Sequence, residues 1–146
     1  MSERPIILLS GGFDPYHNGH AKMFEAAGQI GDICVILNSD EWLVKKKGNN
    51  FMSLTERADV LHSVKNVIWV WESKSLSDVS VDIEAISKQG VFDGRLLIFG
   101  KGGDRTANNT PEQATCEKLS IPVIFGLGGN NNQSSSKLLG RYVELA

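Results

Sequence analysis

Five short apolar runs, each separated from the next by residues with helical spacing, leave this chain few folds to choose from. The runs cover about residues 5–10 (with Ile6-Ile7-Leu8-Leu9 at the centre), Ile33–Leu37, Val67–Trp71, Arg95–Phe99 and Pro122–Phe125. Unbroken apolar runs suit strands buried on both faces, the condition of a parallel sheet covered by helices. Their alternation with helices predicts an α/β fold, a single Rossmann-like doubly wound domain over residues 1–146 with a five-stranded parallel sheet. No linker, repeat or low-complexity tract divides it. Ligands of such sheets bind beyond the carboxyl ends of the strands.

The intervening segments carry helix signals. The first helix is expected over about residues 18–29, with apolar positions Ala21, Phe24 and Ala27. Ser39 would cap a short helix through Val44, with Lys45-Lys46-Lys47 following in a loop. Ser53-Leu54-Thr55-Glu56 has the form of a capping box, and Leu54, Ala58, Leu61 and Val64 line one face of the helix it opens. A helix from about 78 to 89 gathers Val79, Ile83 and Ile86 and ends at Gly90. Thr110-Pro111-Glu112-Gln113 combines a capping threonine, a first-position proline and a reciprocal glutamine, opening a helix that ends near Leu119. A glycine- and asparagine-rich loop, residues 126–132, leads to a last short helix from Ser134 through Leu139.

Charge narrows the partners. The 15 basic and 17 acidic residues give a formal net charge of −2, so neither nucleic acid nor an anionic membrane is expected as a partner. No apolar stretch approaches the ~20 residues that span a bilayer. Met1–Pro5 lacks the apolar segment of a signal peptide, and a cytoplasmic protein is expected. Cys34 and Cys116 make no disulfide framework, and Cys34 reads as a buried thiol within a strand.

The chemistry concentrates after the first strand, in Ser10-Gly11-Gly12-Phe13-Asp14-Pro15-Tyr16-His17-Asn18-Gly19-His20. A strand runs into a glycine-rich turn that delivers two histidines to the start of a helix. Helix N-termini carry unpaired N–H groups and partial positive charge, which suits phosphate. Two imidazoles three residues apart add donors that can become cationic near neutral pH. The pair could also bind zinc, but no third ligand stands out, and His62 reads as a partly exposed helix residue. Asp14 either orients a backbone turn or helps hold magnesium. Arg57 stands in the first turn of a helix, where a cation opposes the dipole, so it needs an anionic partner: an acceptor phosphate or an acid such as Asp40.

Gly12-Phe13-Asp14-Pro15-Tyr16-His17-Asn18-Gly19-His20 resembles the signature of the cytidylyltransferase-like nucleotidylyltransferases, a family that includes glycerol-3-phosphate cytidylyltransferases and the adenylyltransferase domains of ADP-heptose synthases. The resemblance continues in order through Leu37-Asn38-Ser39-Asp40, the lysines at 45–47, Ser53-Leu54-Thr55-Glu56-Arg57, Lys101-Gly102-Gly103-Asp104 and Ser134-Ser135-Ser136. It implies nucleotidyl transfer: an acceptor phosphate oxygen attacks the α-phosphate of a nucleoside triphosphate and pyrophosphate leaves.

On this resemblance His17 and His20 contact the triphosphate, assisted by backbone N–H groups near Gly12 and Phe13. Gly11, Gly19, Lys101, Gly102, Gly103 and Asp104 would surround the nucleotide, with Ser134, Ser135 and Ser136 on its outer phosphates. Lys46 would meet phosphate, with Lys45 and Lys47 as alternatives; these two and Asp40 are substrate-binding candidates, and Arg57 is a catalytic one that the family parallel puts on the acceptor phosphate. Mg2+ would accompany the triphosphate, with few protein ligands, and a homodimer is a family-level expectation. Gly129–Gln133 lacks the arginine that glycerol-3-phosphate cytidylyltransferases carry there, and Lys101–Asp104 looks more like the heptose-phosphate adenylyltransferases. The donor therefore stays CTP or ATP, and the acceptor a small phosphorylated sugar or polyol. A nucleotide-binding sensor without turnover is the rival from another class.

Overall fold

A computed structural model describes residues 3–103 and 106–129 of the chain. Its strands are β1 (Ile6–Gly11), β2 (Asp32–Leu37), β3 (Val67–Glu72), β4 (Leu97–Gly102) and β5 (Val123–Leu127). The helices are α1 (Asn18–Ile30), α2 (Asp40–Lys47), α3 (Leu54–His62), α4 (Ser80–Lys88) and α5 (Gln113–Lys118). The strands form one sheet in the order β3-β2-β1-β4-β5, and each neighbouring pair is parallel. This is the expected α/β architecture.

The reason lies in how the apolar runs divide. Along β2, Ile33, Val35 and Leu37 enter one core with Ile7, Leu9, Phe24, Ala27 and Leu61. Cys34 and Ile36 enter the other, with Ile6, Leu8, Ile83, Ile86 and Cys116. Each central strand thus buries both faces, under α1 and α3 on one side and α4 and α5 on the other. Burying one such Leu or Ile side chain is worth roughly 1.5–3 kcal/mol, which makes these two cores the main cohesive force.

Several boundaries move. β4 starts two residues later than its apolar run, because Arg95 leaves the strand to ion-pair with Asp32 at 2.6 Å. The strand continues through Gly100, where a Cβ would stand 2.7 Å from Leu127 Cδ1 and 2.9 Å from Leu9 Cδ2, so the sheet itself requires the glycine. β5 likewise extends through Gly126 and Leu127. Ser39 Oγ and Ser53 Oγ cap α2 and α3 as anticipated, accepting from Trp42 N–H and Glu56 N–H. α2, however, runs on through Lys47, so the three lysines form its last turn, where cations are stabilised by the negative end of the dipole. The capping box at Thr110 does not form. Residues 111–112 make a turn, α5 begins at Gln113, and a single 3-10 turn, Ala107–Asn109, takes its caps from Thr106 and Asn109 instead. Ala21 is exposed, and Phe24 and Ala27 carry the buried side of α1.

No helix of the described residues is long and apolar enough to cross a membrane. The chain reverses its direction across the sheet between β1 and β4. The crevice at the carboxyl ends of these two strands is where doubly wound sheets hold their ligands. Gly11 ends one strand and Lys101-Gly102 end the other.

Candidate active site

The two histidines are built into the start of α1. His17 is the N-cap, and its Nδ1 accepts from Gly19 N–H at 3.1 Å. His20 reaches back, and its Nδ1 accepts from His17 N–H at 3.2 Å. The imidazoles stack with centroids 3.7 Å apart and planes inclined by 21°. Phe13 meets the His20 ring edge-on at 4.7 Å. A neutral imidazole whose Nδ1 accepts carries its proton on Nε2. Both histidines therefore present Nε2–H donors, while their other nitrogens complete the helix cap.

Their charge state corrects the sequence reading. Burial, then His17, then Lys47 push the His20 pKa down to about 3. Burial and Lys47 lower that of His17 in the same direction. Protonation would also put a hydrogen on each Nδ1, where a backbone N–H already points. In the free protein the pair consists of neutral donors rather than cations at neutral pH.

Beneath the turn lies a brace. The Arg57 side chain has 0% exposure. Its Nε donates to Met52 O at 3.1 Å, one terminal nitrogen donates to Gly12 O at 3.0 Å and Asn38 O at 2.7 Å, and the other donates to Asp40 Oδ1 at 2.7 Å. Of the two anionic partners expected, the structure supplies Asp40. Buried and committed to these four acceptors, Arg57 is a positioning residue that ties the ends of β1 and β2 to the loop before α3. Asp40 correspondingly belongs to this brace, and it also accepts from Asn50 Nδ2 at 3.4 Å. Asp14 does structural work of the same kind: its two oxygens accept from Phe51 N–H and Met52 N–H, each at 2.6 Å. Phe13 holds a positive φ of 50°, uncommon for a bulky residue, with its ring packed against Tyr16, His20 and Phe24.

On the α4–α5 side of the same crevice opens a cavity of about 440 Å3, lined among others by Ser10, Trp42, Lys45, Lys46, Lys101 and Glu112. That size accommodates a small molecule. Trp42 forms a wall, fixed by its indole N–H to Ser77 O at 3.0 Å, and Lys46 Nζ lies 4.6 Å from its ring centroid. Lys101 Nζ donates to Ser10 Oγ at 3.3 Å. The lysine run is thus divided by its helical geometry. Lys45 and Lys46 line the cavity, and Lys47 stands where its charge acts on both histidines.

The structure therefore gathers Gly11, Lys45, Lys46 and Lys101 at the cavity and His17, Gly19, His20 and Lys47 at the start of α1, on either side of the β1 terminus. Gly12 and Gly102 allow close packing: a Cβ on Gly12 would lie 2.8 Å from Leu43 Cδ2, and one on Gly102 2.9 Å from Met23 Sδ. Gly103 adopts a positive φ of 61° and faces open space. Asp104, Ser134, Ser135, Ser136 and the last helix fall outside the described residues. Sequence reasoning missed Ser10, Trp42, Asp78 and Glu112 as cavity residues. For Glu112 the capping-box pattern around it was a misleading signal.

Residues 8–120 match the family model described as cytidylyltransferase-like. The chain is similar to the glycerol-3-phosphate cytidylyltransferase of Bacillus subtilis (strain 168), with 27% identity over 127 residues that take in 83% of this chain and 88% of that protein. It is also similar to the bifunctional protein HldE of Helicobacter pylori (strain G27), 28% identical over 134 residues, covering 79% of this chain but only 29% of that relative. Among solved structures, a lipopolysaccharide core biosynthesis protein from Thermoplasma volcanium GSS1 shares the fold, with a TM-score of 0.61 at 17% identity, over 88% of this chain and 99% of that one.

Proposed function

The chain belongs to the cytidylyltransferase-like family of nucleotidyltransferases, and on that premise we propose that it moves CMP or AMP from the nucleoside triphosphate to a small phosphorylated sugar or polyol. An acceptor phosphate oxygen attacks the α-phosphorus, the bond to the bridging oxygen breaks, and pyrophosphate carries away the electron pair. The observation that carries this reading is the stacked pair of neutral Nε2–H donors at a helix N-terminus, beside a lysine-lined cavity across the β1 terminus. One side suits a triphosphate, the other a second anion.

In this reading the protein does no covalent work; positioning and charge stabilisation supply the rate. His17 and His20 donate to phosphate oxygens around the α-phosphorus, where negative charge grows as the leaving group departs. Lys47, already close enough to act on both imidazoles, is the lysine that neutralises the triphosphate. Lys45 and Lys46 serve the acceptor. Magnesium travels on the triphosphate and offsets its charge; among the described residues no three His, Cys, Asp or Glu side chains converge to hold a metal. A homodimer belongs to the same proposal. The test is pyrophosphate release with each of the four nucleoside triphosphates, against a panel of sugar and polyol phosphates. One triphosphate should be turned over only when an acceptor is present. Tight triphosphate binding with no turnover on any pair would favour a sensor instead.

A further inference from the structure

Among the described residues, three rings contact the His20 imidazole. His17 stacks on it with centroids 3.7 Å apart, Phe13 meets it edge-on at 4.7 Å, and Tyr16 lies at 5.5 Å with planes inclined by 34°. Two of them are placed by the fold itself: His17 caps α1, and Phe13 is a buried member of the core. Tyr16 is half-buried at the margin of that core. It precedes the N-cap and folds back over the first turn of α1, as apolar residues at this position do, meeting His20 and then Phe24 one turn on at 5.6 Å. Its phenol adds no charge, since burial pushes its pKa above the ordinary value. The other groups whose charge acts on His20 are His17 and Lys47, both of which favour the neutral ring, and burial outweighs either. Asp14, two residues before Tyr16, spends both oxygens on the Phe51 and Met52 amides.

We propose that Tyr16 is a positioning residue for the transfer: its ring closes over His20 and limits the water at the imidazole, so that the side chain meets phosphate as a neutral Nε2–H donor. This rests on the transferase reading for what His20 meets, and it adds a residue that acts through His20 rather than on a substrate. An imidazole that takes up a proton gains a hydrogen on Nδ1, the atom that accepts from His17 N–H at 3.2 Å. Protonation therefore sets two hydrogens against each other and opens the reciprocal cap of α1. Water at the ring favours that event, because solvation stabilises the charged form. The Tyr16 ring takes the place of such water on one side of His20.

Imidazole nitrogen NMR of the free protein, from about pH 7.5 to about pH 4.5, reads the tautomer and protonation of His20 directly. Wild type should show the Nε2–H tautomer with no protonation across that range. Tyr16→Ala should bring the midpoint above about 5.5, a gain in proton affinity of roughly 100-fold or more over the wild-type value of about 3. Tyr16→Phe should restore the wild-type signature, because the ring and not the hydroxyl gives the cover. In turnover the change appears as a pH profile. With a midpoint of about 5.5 only about a quarter of the rings stay neutral at about pH 5, so kcat of Tyr16→Ala should fall there by ~4-fold or more relative to wild type. The triphosphate KM should move less than about twofold, the loss falling on a transition-state donor. A wild-type His20 that titrates near its ordinary value of about 6.5 overturns the proposal whether or not the variant folds. So does a folded Tyr16→Ala protein whose His20 stays unprotonated throughout, or whose kcat profile runs parallel to that of wild type. Pyrophosphate release separates the two ideas. A raised midpoint in Tyr16→Ala with no release on any pair of substrates strikes the transferase reading and leaves the hold of Tyr16 on His20 standing. Release with an unmoved midpoint does the reverse.

Discussion

Replacing Arg57 with methionine keeps the length and apolar stem of the side chain and deletes the four hydrogen bonds of the brace. The ion-pair share of the loss is small, because the Asp40 side chain is 44% exposed and water can take over its charge, leaving at most about 1 kcal/mol. The carbonyls of Gly12, Asn38 and Met52 are different. Each loses a charged donor, in a buried setting at Asn38 and a half-buried one at Gly12 and Met52, a cost of about 1–1.5 kcal/mol apiece. Together these put the loss near 4 kcal/mol, a large fraction of the 5–15 kcal/mol typical of a whole domain. At roughly 2–4 °C per kcal/mol for a chain of this size, the melting temperature should fall by on the order of 10–15 °C. Urea melts and calorimetry of the two proteins read this directly. Asp40→Asn should cost less than about 1 kcal/mol, since the carbonyl bonds survive. An Arg57→Met protein that melts within about 2 °C of wild type but loses acceptor affinity alone would refute the argument: the guanidinium would then be a phosphate ligand.

His20→Ala should lower turnover by ~100-fold or more while the protein stays folded, the scale of losing one transition-state donor, and pyrophosphate release at saturating substrates checks it. Acid should weaken the fold through the same residue. Because the folded state holds His20 near a pKa of about 3, the unfolded chain is protonated first as pH falls. Stability is therefore unaffected above roughly pH 6.5 and declines below it by up to ~1.4 kcal/mol per unit until about pH 3. Urea melts from pH 7 to 4 should show that slope, and it should flatten in His20→Asn. Asp14→Ala removes both acceptors of the Phe51 and Met52 amides, so hydrogen exchange at those two positions should accelerate at least tenfold with little change elsewhere.

The sheet was legible because its strands announce themselves as unbroken Val, Ile and Leu runs, a pattern that buried parallel strands produce. Apart from the start of β4, which Arg95 leaves, the strand ends were misjudged where glycine sits inside a strand. Gly100, Gly102 and Gly126 look like loop residues in sequence, yet β4 and β5 include them because neighbouring side chains occupy the space of their missing Cβ atoms or the backbone bends there. The histidine pair could be found from spacing alone, but its protonation could not, since that depends on stacking and on which nitrogen caps the helix. The anomaly of Arg57 in a first helical turn correctly demanded an anion, and only the fold could choose Asp40 over a ligand. Glu112 was hidden by a local pattern: its segment reads as a capping box, and nothing nearby in sequence reveals that this residue lines a cavity made by residues dozens of positions away.

Three of the four atoms that Arg57 grips are main-chain carbonyl oxygens, at Gly12, Asn38 and Met52. Every amino acid offers such an oxygen, so the grip is indifferent to the side chains it holds in place. The loops around the crevice can then be re-lettered, by selection or by an engineer, without cutting the tie that keeps their backbones in register. A scaffold fastened in this way separates the question of what the pocket accepts from the question of whether the pocket exists.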